Sequence, residues 1–275
     1  MSKSILITGC SSGIGLYCAQ ELHARGYLVV ASCRQLDDVA RLKSLGLHCV
    51  QLDLACTQSI HKGLKEALSI TNGQLDALFN NGAYGQPGAV EDLPTDALRQ
   101  QFEVNLFGWH ELTCQVIKVM RKQPSGRIIQ NSSVLGLVCL PYRGAYNASK
   151  FALEGLTDTL RLELKNTEIQ ISLIEPGPIE SKFRANALIA FTKNIDIESS
   201  SHKQNYLAQQ QRLESQTKPQ PFTLGPEAVL KSLIHALESK RAKPRYYVTF
   251  PTYLFGYLKR ILSTRMLDRL LNKSK

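Results

Sequence analysis

No stretch of eighteen consecutive apolar residues occurs in these 275 amino acids, so no membrane-spanning helix is expected. No C-x-x-C pair is present either. The seven cysteines (Cys10, Cys18, Cys33, Cys49, Cys56, Cys114 and Cys139) are scattered and odd in number. That pattern excludes a disulfide framework and a cysteine zinc site, and points to reduced, mostly buried thiols. The six histidines show no ligand spacing, and no metal is expected. After Met-Ser-Lys-Ser the chain enters an apolar run, so no secretory leader is expected and a cytoplasmic protein is the reading. The charge is unevenly placed along the chain. Residues 240–275 hold ten Lys or Arg against the single acid Asp268, which accounts for nearly all of the +10 net charge. A basic surface spread over the whole chain, as nucleic-acid binding would require, is thereby a poor reading; a basic tail is the better one.

What is present is ordinary for a globular α/β protein: 43% hydrophobic and 20% charged residues. Short apolar runs read as strands over 4–8, 27–32, 48–52, 75–80, 127–131 and 170–174. Helical patterns lie between them over 14–25, 37–45, 58–70, 97–121 and 145–165. Strand followed by helix, repeated, predicts a single doubly wound parallel sheet of about seven strands with helices on both faces. The seventh strand is expected at 246–250, after a helix opened by Gly225-Pro226-Glu227. Residues 192–223 are polar, and the stretch 179–225 reads as a substrate lid or a disordered segment. The boundaries are therefore 1–250 for the main domain and 251–275 for a basic amphipathic helix.

Two clusters of residues carry chemistry. Thr8-Gly9-Cys10-Ser11-Ser12-Gly13-Ile14-Gly15 links the first strand to the first helix. Strand, glycine turn and helix N-terminus form an arrangement that receives a pyrophosphate on backbone N–H groups, although a glycine turn of purely structural role would read the same. Tyr146 and Lys150 stand four residues apart, one helical turn, thirteen residues after Ser133. An ordinary phenol is a poor acid or base at neutral pH, and a neighbouring ammonium lowers its pKa toward a useful value.

Together these residues resemble the short-chain dehydrogenase/reductase family, over roughly residues 4–250. Thr8 to Gly15 is similar to its glycine motif. Ser133, Tyr146 and Lys150 match its catalytic residues in order and spacing, Asn105 matches the fourth member, and Pro176-Gly177 matches the turn at the nicotinamide end. The stretches Thr-Gly-Cys-Ser-Ser-Gly-Ile-Gly and Ala-Ser-Lys-Phe-Ala-Leu-Glu-Gly resemble the 17β-hydroxysteroid and retinol dehydrogenase group. Glu-Pro-Gly-Pro-Ile and Leu-Gly-Pro-Glu-Ala-Val look closer still to bacterial NADP-dependent aldehyde reductases. The family's Asn-Asn-Ala-Gly is here Asn80-Asn81-Gly82-Ala83, with Gly82 expected to keep the turn permissive.

The resemblance implies a single-domain Rossmann fold and hydride transfer between a nicotinamide and a carbonyl or alcohol carbon. Tyr146 would be the general acid and base, Ser133 would hold the substrate oxygen, and Lys150 would lower the phenol's pKa and hold ribose hydroxyls. Asn105 would keep a water in line with Lys150. Cofactor contacts would come from Gly9, Ser11, Ser12, Gly13, Ile14, Gly15, Asp53, Leu54, Asn81, Gly82, Tyr146, Lys150, Pro176, Gly177, Ile179 and Ser181. At the ribose-recognition position the neutral Cys33 is followed by Arg34, which favours NADP(H) over NAD(H), since a guanidinium fork suits a 2′-phosphate. Asp37 and Asp38 stand close by in the sequence.

Leu135, Leu137, Tyr142 and Phe183 are the candidate substrate-pocket residues, with the 187–191 apolar stretch above them. They suggest an apolar aldehyde, ketone or alcohol, and no Arg or Lys is seen to fix a carboxylate; the same residues would equally serve as core. A non-catalytic NADP(H) sensor is the alternative, but it would be expected to have lost one of Ser133, Tyr146 or Lys150. Family analogy implies a homodimer or homotetramer through the 97–121 and 145–165 helices. In the tail, Phe255, Leu258, Leu262, Met266 and Leu270 form a helical stripe with Lys259, Arg260, Arg265 and Arg269 around it. That helix would pack on the enzyme or a second subunit, or rest peripherally on the inner membrane surface.

Overall fold

The computed structural model describes residues 2–214 and 221–273. Seven strands form one sheet: β1 (Ser4–Ile7), β2 (Leu28–Cys33), β3 (His48–Gln51), β4 (Ala77–Asn80), β5 (Gly126–Asn131), β6 (Ile169–Glu175) and β7 (Arg245–Tyr247). Their order is β3-β2-β1-β4-β5-β6-β7, and every pairing is parallel. Parallel strands covered on both faces become continuous apolar runs, and Ile5, Leu6 and Ile7 are fully buried for that reason. One face is packed by α1 (Gly13–Ala24), α2 (Leu36–Ser44) and α9 (Glu227–Glu238), the other by α3 (Thr57–Ile70), α5 (Gly108–Met120) and α6 (Gly144–Glu163). The strand order reverses between β1 and β4. A crevice therefore opens at their carboxyl ends, where sheets of this kind bind ligands.

Three expected elements differ. The 97–121 helix is broken: α4 (Thr95–Phe102) passes through a π-helical turn at Glu103–Phe107 before α5 starts. The cause is local. Asn105 is tied to the backbone of Tyr84, and Gly108 presses against the Leu54 carbonyl, where a Cβ would stand 2.0 Å away. The final strand ends at Tyr247, because Thr249 and Pro251 begin α10 (Phe250–Ile261), and a proline fits the first helical turn. The polar 192–223 stretch contains helix: α7 (Phe183–Asn194) is followed by α8 (Lys203–Glu214), while the Lys218-Pro219-Gln220 part of the expected lid lies outside the described residues.

The tail is two helices, α10 and α11 (Thr264–Lys273), separated at Leu262 and Ser263. That break shifts the phase of the stripe. Leu271 is buried, whereas Met266 and Leu270 are exposed. Among the described residues no helix is long and apolar enough to cross a membrane.

Candidate active site

The crevice is a cleft of about 760 Å³. Its floor is the glycine loop, in which Gly9 and Gly13 adopt the left-handed φ values of +71° and +58°. Gly15 serves close packing instead. A Cβ there would lie 2.3 Å from the Gly9 carbonyl, so its bareness lets α1 begin under the loop. Thr8 Oγ1 accepts from the N–H groups of Asn81 and Gly82, both at 2.9 Å, and clamps the end of β4 to the loop. The exchanged Gly82 has no left-handed φ. Its lack of a side chain allows contact with Gly9, whose own Cβ would fall 2.4 Å from the Gly82 Cα. Close approach, not turn freedom, is what this position requires.

A chain of hydrogen bonds carries this frame to the chemical end. Asn81 Nδ2 donates to the Thr8 carbonyl at 3.0 Å, Asn131 Nδ2 to Asn81 Oδ1 at 2.9 Å, and Lys150 Nζ to the Asn131 carbonyl at 2.8 Å. Lys150 is buried, with its ammonium 4.3 Å from the centre of the Trp109 ring. Burial drives its pKa down to about 7, against the pull of the Glu154 carboxylate one turn further along α6. Tyr146 packs edge-on against Phe183 with ring centres 5.3 Å apart. Burial pushes its phenol up to about 12, and a hydrogen bond with Ser133 and the Arg143 guanidinium pull it back. Here the structure departs from the sequence expectation. Lys150 lies 5.7 Å from the Tyr146 ring centre, and the cation lowering the phenol is Arg143.

The cleft brings together Gly9, Ser11, Ser12, Gly13, Ile14, Asn81, Gly82, Ser133, Leu135, Tyr146, Lys150, Pro176, Gly177, Ile179, Ser181 and Phe183. Asp53, Leu54, Arg34 and Gly15 stand outside its lining. Leu54 touches Gly82 from behind, and Arg34 is exposed at the end of β2. Leu137 is buried outside the cleft. Tyr142 is also outside, its ring packed on His202 and on Tyr206 of α8, because the left-handed backbone at Tyr142 (φ 60°) turns it that way. Asn105 is fully buried, and its amide spends both ends on the backbone of Tyr84, accepting at 3.2 Å and donating at 2.9 Å. It positions the loop after β4. Of the 187–191 stretch, Ala187 and Phe191 are buried, Phe191 in a satellite core with Tyr206, and Ile189 is exposed.

Several residues escaped the sequence reading. Arg143, Lys182 and Arg184 line the cleft, so its wall is not free of cations. Arg143 carried a signal, standing three residues before Tyr146. Arg41 gave none. From α2 its guanidinium donates to the Ser11 carbonyl at 2.7 Å and to Asp38 at 2.8 Å, placing a cation against the glycine loop and neutralising one of the two nearby acids.

A sheet of this order, a glycine loop at its switch point and a serine, tyrosine and lysine in the same cleft define a dinucleotide-dependent oxidoreductase fold. Residues 3–190 match the family model of the short chain dehydrogenases, and the chain belongs to that family. It is similar to the uncharacterized oxidoreductase YbbO of Escherichia coli, with 41% identity over 98% of this chain and 94% of that protein. Human 17-beta-hydroxysteroid dehydrogenase type 1 is 32% identical over 89% of this chain and 77% of that protein. Among solved structures, a short chain dehydrogenase/reductase from Burkholderia phymatum in complex with NAD superposes with a TM-score of 0.79. That comparison covers 98% of this chain and 95% of that one at 25% identity.

Proposed function

We propose that this protein is an NADP(H)-dependent oxidoreductase that interconverts an apolar aldehyde or ketone and its alcohol. The observation that carries the reading is the convergence of Ser133, Tyr146 and Lys150 with the glycine loop in one cleft. The residues present suit a dinucleotide: the loop backbone and the start of α1 would take the pyrophosphate, and Lys150 with Asn81 would take ribose hydroxyls. The bound nicotinamide supplies or accepts the hydride. Arg34, exposed at the end of β2, and Arg41, which reaches the glycine loop and pairs with one of the two nearby acids, support NADP(H), since a guanidinium suits a 2′-phosphate.

Tyr146 gives a proton to the substrate oxygen in reduction and removes it in oxidation. A phenol held near pKa 12 is protonated at neutral pH and so carries the proton that reduction requires. Ser133, already a partner of that phenol, holds the substrate oxygen beside it, and Arg143 stabilises negative charge developing there. Leu135, Leu140 and Phe183 supply apolar wall for the body of the substrate. Residues 1–250 act as one catalytic unit with 179–225 as its lid, and subunits pair through α5 and α6, where Leu156 and Leu162 of α6 and Phe107, just before α5, are exposed.

The test is loss of reduced-nicotinamide absorbance with a panel of aldehydes, ketones and sterols, run with NADPH and with NADH. NADPH should be preferred, and Tyr146→Phe should lower turnover by roughly 10²–10⁴-fold with little change in NADPH binding. Turnover retained in that variant refutes the assignment. NADPH binding with no turnover on any substrate leaves the protein a sensor.

A further inference from the structure

We propose that α10 is a membrane-surface helix, whose outward face seats on an anionic lipid bilayer beside the mouth of the cleft. That face consists of Phe250, Tyr253, Leu254, Tyr257 and Ile261, which are 56, 48, 39, 59 and 77% exposed. Their spacing of three and four residues gathers them on one side of the helix. The opposite side is already used. Thr252 is buried, Gly256 sits against the Tyr247 ring so closely that a Cβ would come within 2.6 Å, and Lys259 lies 4.6 Å from the centre of the Phe151 ring. The sequence stripe of Phe255, Leu258 and Leu262 is half-buried. The face offered to a partner is therefore a different one; Phe222 and Tyr247 touch its Phe250, Tyr253 and Tyr257 rings from the side, and it otherwise remains exposed.

Charge selects the partner. Arg260 is exposed on α10, and on α11 the exposed Met266 and Leu270 alternate with exposed Arg265 and Arg269. Apolar and aromatic side chains interleaved with cations match the boundary of an anionic bilayer. A second copy fits poorly, because a twofold contact would set the same cations against each other with only Asp268 to offset them. Position ties the face to the site. Phe222 stacks on Phe250 with ring centres 5.0 Å apart, and the next residue, Thr223, lines the cleft. Thr249 and Thr252, at the start of α10, rest against Gly177 of the cleft wall. An apolar carbonyl compound dissolved in lipid would thus reach the cleft without crossing water, a consequence that rests on the oxidoreductase reading.

The experiment is co-sedimentation of the full chain with phosphatidylcholine vesicles, with and without about one-third phosphatidylglycerol. Binding should require the anionic lipid and weaken at least about tenfold between 0.1 and 0.5 M salt. Tyr257→Ser with Ile261→Ser should lower binding by about tenfold or more while turnover of a water-soluble aldehyde and the melting temperature stay unchanged. Ile261→Ser alone, at the most exposed position, guards against misfolding and should show a smaller loss. Absence of binding to the anionic vesicles overturns the proposal, as does full binding by the double variant. A fall in sedimentation mass on Ile261→Ser also overturns it, by giving the face to a second copy. Vesicle binding is read without substrate, so its failure leaves the catalytic reading standing, and failed turnover leaves the vesicle result standing.

Discussion

At the scale of single residues, Lys150 shows chemistry set against stability. Its ammonium is buried, with one carbonyl and the Trp109 ring as close partners, and its pKa falls from 10.5 to about 7. An unfolded chain would keep that lysine protonated up to about pH 10, so between pH 7 and 10 the unfolded state binds more protons and stability rises with pH. Below pH 7 the full burial penalty is present, of the order of a few kcal/mol at about 1.4 kcal/mol per pH unit. Lys150→Met should therefore abolish turnover and yet melt higher than the parent at pH 7 in the absence of cofactor. The gap should close as the pH approaches 10. Calorimetry across that range checks the sign, and a variant less stable at pH 7 contradicts the account.

At the scale of elements, glycines with opposite surroundings separate fold from propensity. Gly108 opens α5 where any Cβ would strike the Leu54 carbonyl, whereas Gly155, exposed on α6, has nothing within 4 Å of a built Cβ. Gly108→Ala should cost about 1–3 kcal/mol because backbone must move. Gly155→Ala should stabilise by up to about 1 kcal/mol through helix propensity. Thermal denaturation of the two variants reads both signs. The same element shows the limit of periodicity. The apolar spacing from 97 to 121 reads as one helix, because a single π turn hardly disturbs the pattern. The cause of the turn, the amide of Asn105 on the Tyr84 backbone, spans residues far apart in sequence.

At the scale of the whole molecule, the α7–α8 segment, the proposed lid, is anchored by side chains from distant segments. Tyr206 of α8 is fully buried within a stretch that reads as polar loop. Its hydroxyl donates to Asp92 and accepts from the Ala89 N–H at 2.9 Å. Tyr206→Phe would leave that N–H unpaired at a cost of about 1–3 kcal/mol, borne locally. Faster proteolysis within 183–214 and a raised KM, with kcat less affected, are the expected results. Unchanged proteolysis would mean that the aromatic packing alone holds α8 in place. A second long-range tie lies behind the cleft, where Arg245 of β7 reaches Glu154, Asp158 and the buried Glu175, joining the last strand to the helix that carries Tyr146 and Lys150.

The sequence by itself determined the parallel sheet, the glycine loop and the one-turn spacing of Tyr146 and Lys150, with Ser133 added by the family resemblance. These are written in local periodicity and in spacings that one strand or one helical turn converts directly into geometry. Only the tertiary structure decided which cation acts on the phenol, that Tyr142 packs on His202 and Tyr206, and which side of the tail is left exposed. Each of those depends on how separate segments meet in space, or on a helix phase set by a break, and neither leaves a periodic trace in the chain.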